Sequence, residues 1–180
     1  MDPELDRILT DDYLDGLSDR PVAELRRLRS ECQAVETQLS YLRRLIQGRH
    51  DIVAGELGRR RQGGDRYDVA DLVDHLPEIL ADRIHAPGPG RLPASMEPGE
   101  LSGRFVDRLD GIGELVPIEA PGDADDDALA RAVEELGTLE AEVSAVRRQL
   151  FDRIDTLQGE ITRRYRSGEA RVEDVLSGDG

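Results

Sequence analysis

The sequence contains few of the residues that fill compact protein cores, and it lacks some residue types altogether. Its 180 residues include four Tyr, two Phe and no Trp, and all of its basic side chains except His are arginines. This scarcity argues against a compact aromatic core. With 35% charged residues, the composition favours long helices that share a narrow apolar seam. Because Lys is absent, every fixed cation is a planar guanidinium, which suits guanine, phosphate or carboxylate partners.

Other absences bear on location and chemistry. The single Cys32 has no partner for an internal disulfide, which is typical of a reducing cytoplasm. Residues 1–20 are acidic and contain no apolar signal core, and no run approaches the length of a membrane span. His50, His75 and His85 show no metal-ligand spacing. Since no nucleophile motif or Gly-rich phosphate loop is present either, we expect a cytoplasmic protein that is neither an enzyme nor metal-dependent.

The charge balance restricts the partners. A formal net charge of −15 at pH 7 repels the phosphate backbone of nucleic acids, so we expect no direct binding to DNA. The same charge favours a basic protein partner. We also expect no association with a membrane, because no segment has the required apolar character.

Two long segments carry a heptad pattern of apolar residues, with alternating spacings of three and four. The first seam comprises Leu25, Leu28, Cys32, Val35, Leu39, Leu42, Ile46, Arg49 and Val53. The second comprises Leu129, Ala132, Leu136, Leu139, Val143, Val146, Leu150, Arg153 and Leu157. Each segment is predicted to form one helix of a coiled coil.

Both long helices are acidic where they begin and basic where they end. Pro21 suits the start of the first helix, and Arg residues at 59–61 precede the glycines that end it. The second helix begins behind the acidic residues 123–127 and ends before Gly168. Antiparallel packing places each acidic start near the basic end of the other helix, whereas parallel packing brings like charges together. The charges therefore predict an antiparallel pair.

The predicted fold is all-α, a long two-helix antiparallel coiled coil with shorter accessory helices and a Pro/Gly-rich connector. The predicted segments are a short N-terminal helix (1–18, amphipathic over 3–17), the first coiled-coil helix (19–62), the connector (63–122), the second coiled-coil helix (123–167) and a tail (168–180). Within the connector, residues 66–84 are predicted to form one or two short helices and residues 86–99 a loop. Residues 101–118 show no clear period.

The same polar motif occurs once on each long helix, in the same heptad phase and 104 residues apart. The first copy is Glu36-x3-Ser40-x2-Arg43-x3-Gln47-x3-Asp51, and the second is Glu140, Ser144, Arg147 and Asp155 with Phe151 in place of the Gln. Arg44 and Arg49 also recur, as Arg148 and Arg153. These spacings place each copy in a stripe beside its seam, largely on one helix face. A duplicated helix with solvated flanks is the simpler interpretation.

The residue types favour a binding site over that interpretation. Two copies on antiparallel helices are related by an approximate two-fold axis, and such an arrangement suits a ligand with its own two-fold axis. Arg donates in parallel to guanine O6 and N7 or neutralises phosphate. Asp accepts from the opposite edge of guanine, and Ser or Gln bonds phosphate or base atoms without adding charge. An anionic, two-fold symmetric ligand that contains guanine fits all of these groups.

The duplicated motif resembles the signature of the RsiG anti-sigma factors of actinobacteria, and the resemblance is specific over the two long helices and weak elsewhere. It implies that cyclic di-GMP binds between the helices as an intercalated pair of molecules. It also implies that the loaded protein sequesters a sporulation sigma factor of the WhiG type. The ligand-binding residues that it implies are Glu36, Ser40, Arg43, Gln47, Asp51, Glu140, Ser144, Arg147 and Asp155.

Several further residues are candidate ligand contacts. Phe151 departs from the signature and either stacks on a guanine or packs against the seam, so we expect the two half-sites to differ. Arg49 and Arg153 occupy seam positions, from which they reach the ligand from beneath, extend to solvent or fix the register. Arg44 and Arg148 lie beside the motif arginines.

Two other protein classes compete with a regulator that binds a nucleotide. A ligand-free coiled-coil scaffold that self-associates through its seam accounts for the heptads, but it leaves the Ser and Gln positions unexplained. A polymerase-channel factor of the GreA type has a slim helical hairpin, and the connector over residues 63–122 argues against such a tip.

Overall fold

The computed structural model of the chain describes residues 2–63 and 103–169, and in these ranges every regular element is a helix. The α-helices are α1 (Asp2–Leu9), α2 (Val22–Arg61), α3 (Arg104–Leu115) and α4 (Asp126–Ser167). Short 3₁₀ turns span Asp11–Leu14, Leu17–Asp19 and Pro121–Asp123. The helices predicted at 66–84, the loop at 86–99 and the tail beyond residue 169 lie outside the described residues.

The long helices α2 and α4 begin and end at the residues that local chemistry favours. The carbonyl of Pro21 accepts the first backbone bonds of α2, from Glu24 and Leu25. At the start of α4, Asp125 Oδ1 accepts a hydrogen bond of 2.7 Å from the backbone N–H of Ala128, which is an N-cap contact. After each helix comes a glycine with positive φ, Gly63 (φ 80°) and Gly168 (φ 76°), a conformation that residues with a Cβ rarely adopt.

The chain divides into two compact units, and each long helix contributes to both. The first unit comprises the described residues of 1–43 and 141–180, and the second those of 44–140. In the first unit α2 and α4 are antiparallel, because the partner on α4 moves backwards as α2 advances. The side-chain contacts that show this are Arg26 with Tyr165, Arg29 with Gln158, and Glu36 with Arg147.

The second unit is also built on antiparallel segments of α2 and α4. Gln47 contacts Glu140, and Arg60, near the end of α2, contacts Asp126 at the start of α4. The Arg60–Asp126 distance is 2.8 Å, so a basic helix end does meet an acidic helix start. The prediction of an all-α fold based on two long antiparallel helices is confirmed.

The predicted heptad seams are the buried faces of α2 and α4. Every apolar seam residue on α2 is at most 2% exposed, and on α4 only Val146 is more accessible than the rest. Burying a Leu side chain stabilises the fold by about 1.5–3 kcal/mol, so these two rows stabilise the pairing of α2 and α4. The seam arginines Arg49 and Arg153 are partly exposed.

The N-terminal segment differs from the single helix predicted over residues 3–17. Helix α1 ends at Leu9 because Thr10 is extended (φ −63°, ψ 149°), and two 3₁₀ turns follow. Leu5 and Ile8 are fully buried, as their amphipathic spacing suggested. The Tyr13 hydroxyl donates a buried hydrogen bond of 3.2 Å to the Leu28 carbonyl, which anchors the first turn on α2.

Helix α3 occupies the segment that showed no clear period in the sequence. Its buried residues Phe105, Leu109 and Ile112, followed by Val116, are spaced by four, three and four positions. This spacing is helical, but α3 is short and Gly111 and Gly113 lower its helix propensity. The amphipathic signal was therefore present but short.

Candidate functional site

The motif residues lie on α2 and α4, and both units contain members of both copies. The first unit holds Glu36, Ser40 and Arg43 from the first copy and Ser144, Arg147, Phe151 and Asp155 from the second. The second unit holds Gln47 and Asp51 from the first copy and Glu140 from the second. Each unit therefore brings together side chains that are far apart in the sequence.

In the first unit the Glu36 side chain contacts residues of both motif copies. We call Glu36, Ser40 and Arg147 the Glu36 cluster. Its Oε1 atom accepts hydrogen bonds from Ser40 Oγ at 2.6 Å and from Arg147 Nε and Nη2 at 3.1 and 2.8 Å. The side chains of Glu36 and Arg147 are 15% and 17% exposed. Because the pair is neither fully buried nor fully solvated, Arg147 is held in place while its face stays accessible to solvent.

A similar contact joins the two copies in the second unit. Gln47 Nε2 donates to Glu140 Oε1 at 3.2 Å, and both side chains are partly buried. Glu140 is the counterpart of Glu36 at the 104-residue offset. In each unit, then, a motif glutamate accepts a hydrogen bond from a motif donor on the opposite long helix.

The remaining motif residues continue the two stripes. Arg43 follows Ser40 by three positions and Ser144 precedes Arg147 by three, so each lies one turn away on the same helix face. Asp51 is partly exposed, and its Oδ1 lies 3.8 Å from His50 Nδ1. Asp155 is exposed and lies about 12 Å along α4 from Arg147 at 1.5 Å per residue. The structure therefore does not bring Asp155 into the Glu36 cluster.

A family model described as RsiG-like matches residues 11–80 and 117–178. The two ranges cover most of the chain and include both copies of the motif. The chain belongs to the RsiG-like family. Membership supports a role as an anti-sigma factor, a regulator whose partner is a sigma factor. A comparison with curated proteins finds no match.

In this RsiG-like protein Phe151 does not pack into the seam. Its side chain is 44% exposed, and the guanidinium carbon of Arg147 lies 5.6 Å from the centre of its ring. A cation–π contact at an exposed site is worth about 0.5–1 kcal/mol. Phe151 therefore offers an accessible aromatic face beside the arginine that Glu36 holds.

The seam arginines of this RsiG-like chain bind backbone carbonyls of the short helices. Arg153 donates to the carbonyls of Ile8, Leu9 and Thr10 at 2.7, 2.9 and 3.3 Å. Arg49 Nη1 donates to the Leu109 carbonyl at 2.9 Å. Neither extends simply to solvent, and sequence reasoning missed this role because the acceptors are backbone atoms distant in the chain.

The arginines that flank the motif, Arg44 and Arg148, are exposed. Their part in ligand binding stays a prediction. In the ranges 2–63 and 103–169, no group of His, Cys, Asp and Glu side chains is arranged to hold a metal ion. Across those same ranges, every helix is too short or too polar to cross a bilayer.

Proposed function

We propose that this RsiG-like chain binds cyclic di-GMP through its paired stripes and, when loaded, sequesters a sigma factor of the WhiG type and blocks transcription. The observation that carries the proposal is the Glu36–Arg147 contact, in which side chains from the two motif copies meet on opposite helices. A ligand with two-fold symmetry needs donors and acceptors from both copies in this way.

The chemistry of the first unit suits a guanine nucleotide. The Arg147 guanidinium has a planar fork that matches the O6 and N7 atoms of guanine or two phosphate oxygens. Phe151 lies beside it, and its ring contacts the Arg147 guanidinium. Carboxylates such as Glu36 and Asp155 can accept from the N1 and N2 hydrogens of guanine. The first unit as a whole therefore contains complements for both edges of the base and for the phosphates.

Ligand binding exchanges one anion for another beside Arg147. The Glu36 carboxylate already offsets the charge of Arg147, so the ligand phosphates compete with it rather than relieving an unbalanced cation. Two cyclic di-GMP molecules, the number that we propose, carry about four negative charges. Adding them shifts hydrogen bonds between α2 and α4 and so favours one arrangement of their surfaces.

The whole-chain charge supports a sigma factor as the partner. Sigma factors use basic surfaces to engage DNA and polymerase, and a net charge of −15 attracts such surfaces. Occupying them prevents simultaneous engagement of DNA. The WhiG type follows from the family resemblance of the motif and not from the charge.

Calorimetric titration of cyclic di-GMP into the full chain tests the binding step. We expect saturable binding that Arg147→Ala weakens by at least about tenfold, because a bidentate charged contact is lost. The matched control is Arg131→Ala, which removes an exposed arginine of α4 that donates to the Asp127 carbonyl of its own helix. Its affinity is expected to stay within about twofold of the wild type.

Three results would contradict the binding step: no heat of binding, equal affinities for the two variants, or equal binding of cyclic di-AMP. A self-associating scaffold predicts an oligomer that is indifferent to all of these nucleotides. Co-purification of a WhiG-type sigma factor with the chain, with and without cyclic di-GMP, tests the sequestration step. Retention only in the presence of the nucleotide is the expected result.

A further inference from the structure

The two seam arginines occupy equivalent positions in the duplicated sequence, and each donates to the backbone of a short helix, although not at equivalent carbonyls. Arg49 and Arg153 are 104 residues apart, the offset that relates the two motif copies. In the first unit Arg153 donates to three carbonyls at the end of α1. In the second unit Arg49 donates to the Leu109 carbonyl of α3 and lies 3.8 Å from Asp110 Oδ1.

The short helices that these arginines bind are themselves related by the same offset. Three residues of α1 recur as identical residues of α3: Leu5 as Leu109, Asp6 as Asp110 and Ile8 as Ile112. The four apolar members are at most 6% exposed. The duplication therefore covers a short helix together with the long helix that follows it. In each unit the arginine of one repeat binds the short helix of the other repeat.

The contacts explain why arginine occupies a position where an apolar residue would pack better. The carbonyls of Ile8 and Leu9 belong to the last turn of α1, where the helix itself supplies no donors and carries the negative end of its dipole. Arg153 provides several charge-assisted donors at once. Arg49 has room beside α3 because Gly113 carries no side chain. A Cβ at Gly113 would lie 3.2 Å from Arg49 Nη1.

Both arginines lie on the seam, in the same helical turns as the candidate binding stripes. Arg49 falls between Gln47 and Asp51, and Arg153 falls between Phe151 and Asp155. A ligand that binds these neighbours acts on the same turn of helix that holds the short helix. The ranges matched by the family model, 11–80 and 117–178, contain neither α1 nor α3.

We infer that Arg49 and Arg153 are positioning residues that link the cyclic di-GMP stripes to the docking of α3 and α1. Occupation of a stripe changes the hydrogen bonds of its seam arginine and so changes how firmly the short helix is held. This inference rests on the proposed function, because the ligand is the one proposed there. It assigns a task to two helices that the motif itself does not include.

Hydrogen exchange of the full chain, with and without cyclic di-GMP, tests the link through the Arg153→Met variant. Met suits an apolar seam position, so α2 and α4 are expected to remain paired. In the wild type we expect ligand to change the exchange rates of residues 2–14 by about threefold or more. In Arg153→Met we expect those amides to exchange about tenfold faster and to ignore the ligand. The variant should still bind cyclic di-GMP within about threefold of the wild-type affinity.

Arg131→Met is the control for an arginine-to-methionine change on α4, and it should behave as the wild type. Arg49→Met repeats the test on residues 103–116. The inference is overturned if Arg153→Met leaves exchange of residues 2–14 at the control rate. It is also overturned if the variant loses more than about tenfold in ligand affinity, since Arg153 would then be a direct ligand contact.

Failure of the inference can be distinguished from failure of the proposed function. If wild-type protein binds no cyclic di-GMP, the proposed function is rejected and the link falls with it. If it binds the nucleotide while the exchange of residues 2–14 stays constant, only the link is rejected.

Discussion

Single side chains decide how the duplicated motif works, and Glu36 shows this most directly. One carboxylate oxygen accepts hydrogen bonds from its own helix, through Ser40, and from the opposite helix, through Arg147. The glutamate thereby orients the Arg147 guanidinium and also engages its Nε and Nη2 donors. Its counterpart Glu140 accepts from Gln47, a neutral donor. The two halves of the motif differ in sequence at one position, where the second copy has Phe151 and the first has Gln47.

Replacing Phe151 by the residue type of its counterpart Gln47 should make the halves more alike. We expect Phe151→Gln to raise affinity for cyclic di-GMP by about threefold to tenfold, since it adds a neutral donor and acceptor beside Arg147. The reciprocal Gln47→Phe variant removes such a donor from Glu140 and should lower the affinity by a similar factor. Calorimetry of both variants measures the effect. A loss of affinity in Phe151→Gln would show instead that the aromatic face stacks on the ligand.

At the scale of elements, the end of α2 is held in place by a network of arginine hydrogen bonds. The Glu56 side chain is fully buried and accepts hydrogen bonds from Arg59 and Arg60. Arg60 also donates to the carbonyls of Gly122 and Ala124 and to Asp126, each at 2.8 Å. The end of α2 is therefore tied to the turn that precedes α4. Burial by itself raises the pKa of Glu56, but the bonds from Arg59 and Arg60 outweigh it and hold the pKa below its usual range.

This depressed pKa predicts that the network loses stability in acid. The folded state binds the Glu56 proton more weakly than the unfolded state, so stabilisation is present above the ordinary Glu pKa of about 4.3 and disappears as pH falls through the folded value. We expect Glu56→Gln to lower the free energy of unfolding near neutral pH by about 3 kcal/mol. The difference between variant and wild type should shrink below about pH 4.

Thermal melts from pH 7 to pH 3 measure this difference. Glu134→Gln, an exposed change on α4, is the control, and its melting temperature should follow that of the wild type. A difference between Glu56→Gln and wild type that stays constant across the range would refute the assignment.

At the scale of the whole molecule, anionic charge and ligand occupancy act on the same partner. The chain carries a net charge of −15, which draws a basic partner towards it, but charge alone does not make binding depend on a nucleotide. That dependence requires the nucleotide to bind the sigma complex more tightly than the free chain. The proposed gating therefore requires two ratios to be equal. One is the factor by which the nucleotide strengthens sigma binding, and the other is the factor by which sigma strengthens nucleotide binding.

The equality can be measured in a closed thermodynamic cycle. If cyclic di-GMP strengthens sigma binding by about a hundredfold, sigma must strengthen cyclic di-GMP binding by the same factor. Titrating the nucleotide into the free chain and into the complex gives one ratio, and titrating sigma with and without the nucleotide gives the other. Arg147→Ala should reduce both. Equal nucleotide affinities for the free chain and the complex would exclude gating.

The sequence by itself determined the long helices, their direction and the stripes. Heptad spacing depends only on residues three and four apart, so Leu25 to Val53 and Leu129 to Leu157 indicated α2 and α4 directly. Opposite charges at the helix ends gave the antiparallel direction because that arrangement pairs Arg60 with Asp126. The motif residues were found because the pattern occurs twice. Their common use of one ligand stays a prediction.

Only the tertiary structure decided the contacts between distant residues. Three features depend on partners that no local pattern identifies. They are the break after Leu9, the burial of α3 despite its glycines, and the hydrogen bonds of Arg49 and Arg153 to helix carbonyls. Arg153 and Ile8 are separated by 145 positions, and a backbone carbonyl is present at every residue. Periodicity reveals which face of a helix is buried, whereas the choice of acceptor for a partly buried guanidinium depends on which chain segment packs beside it.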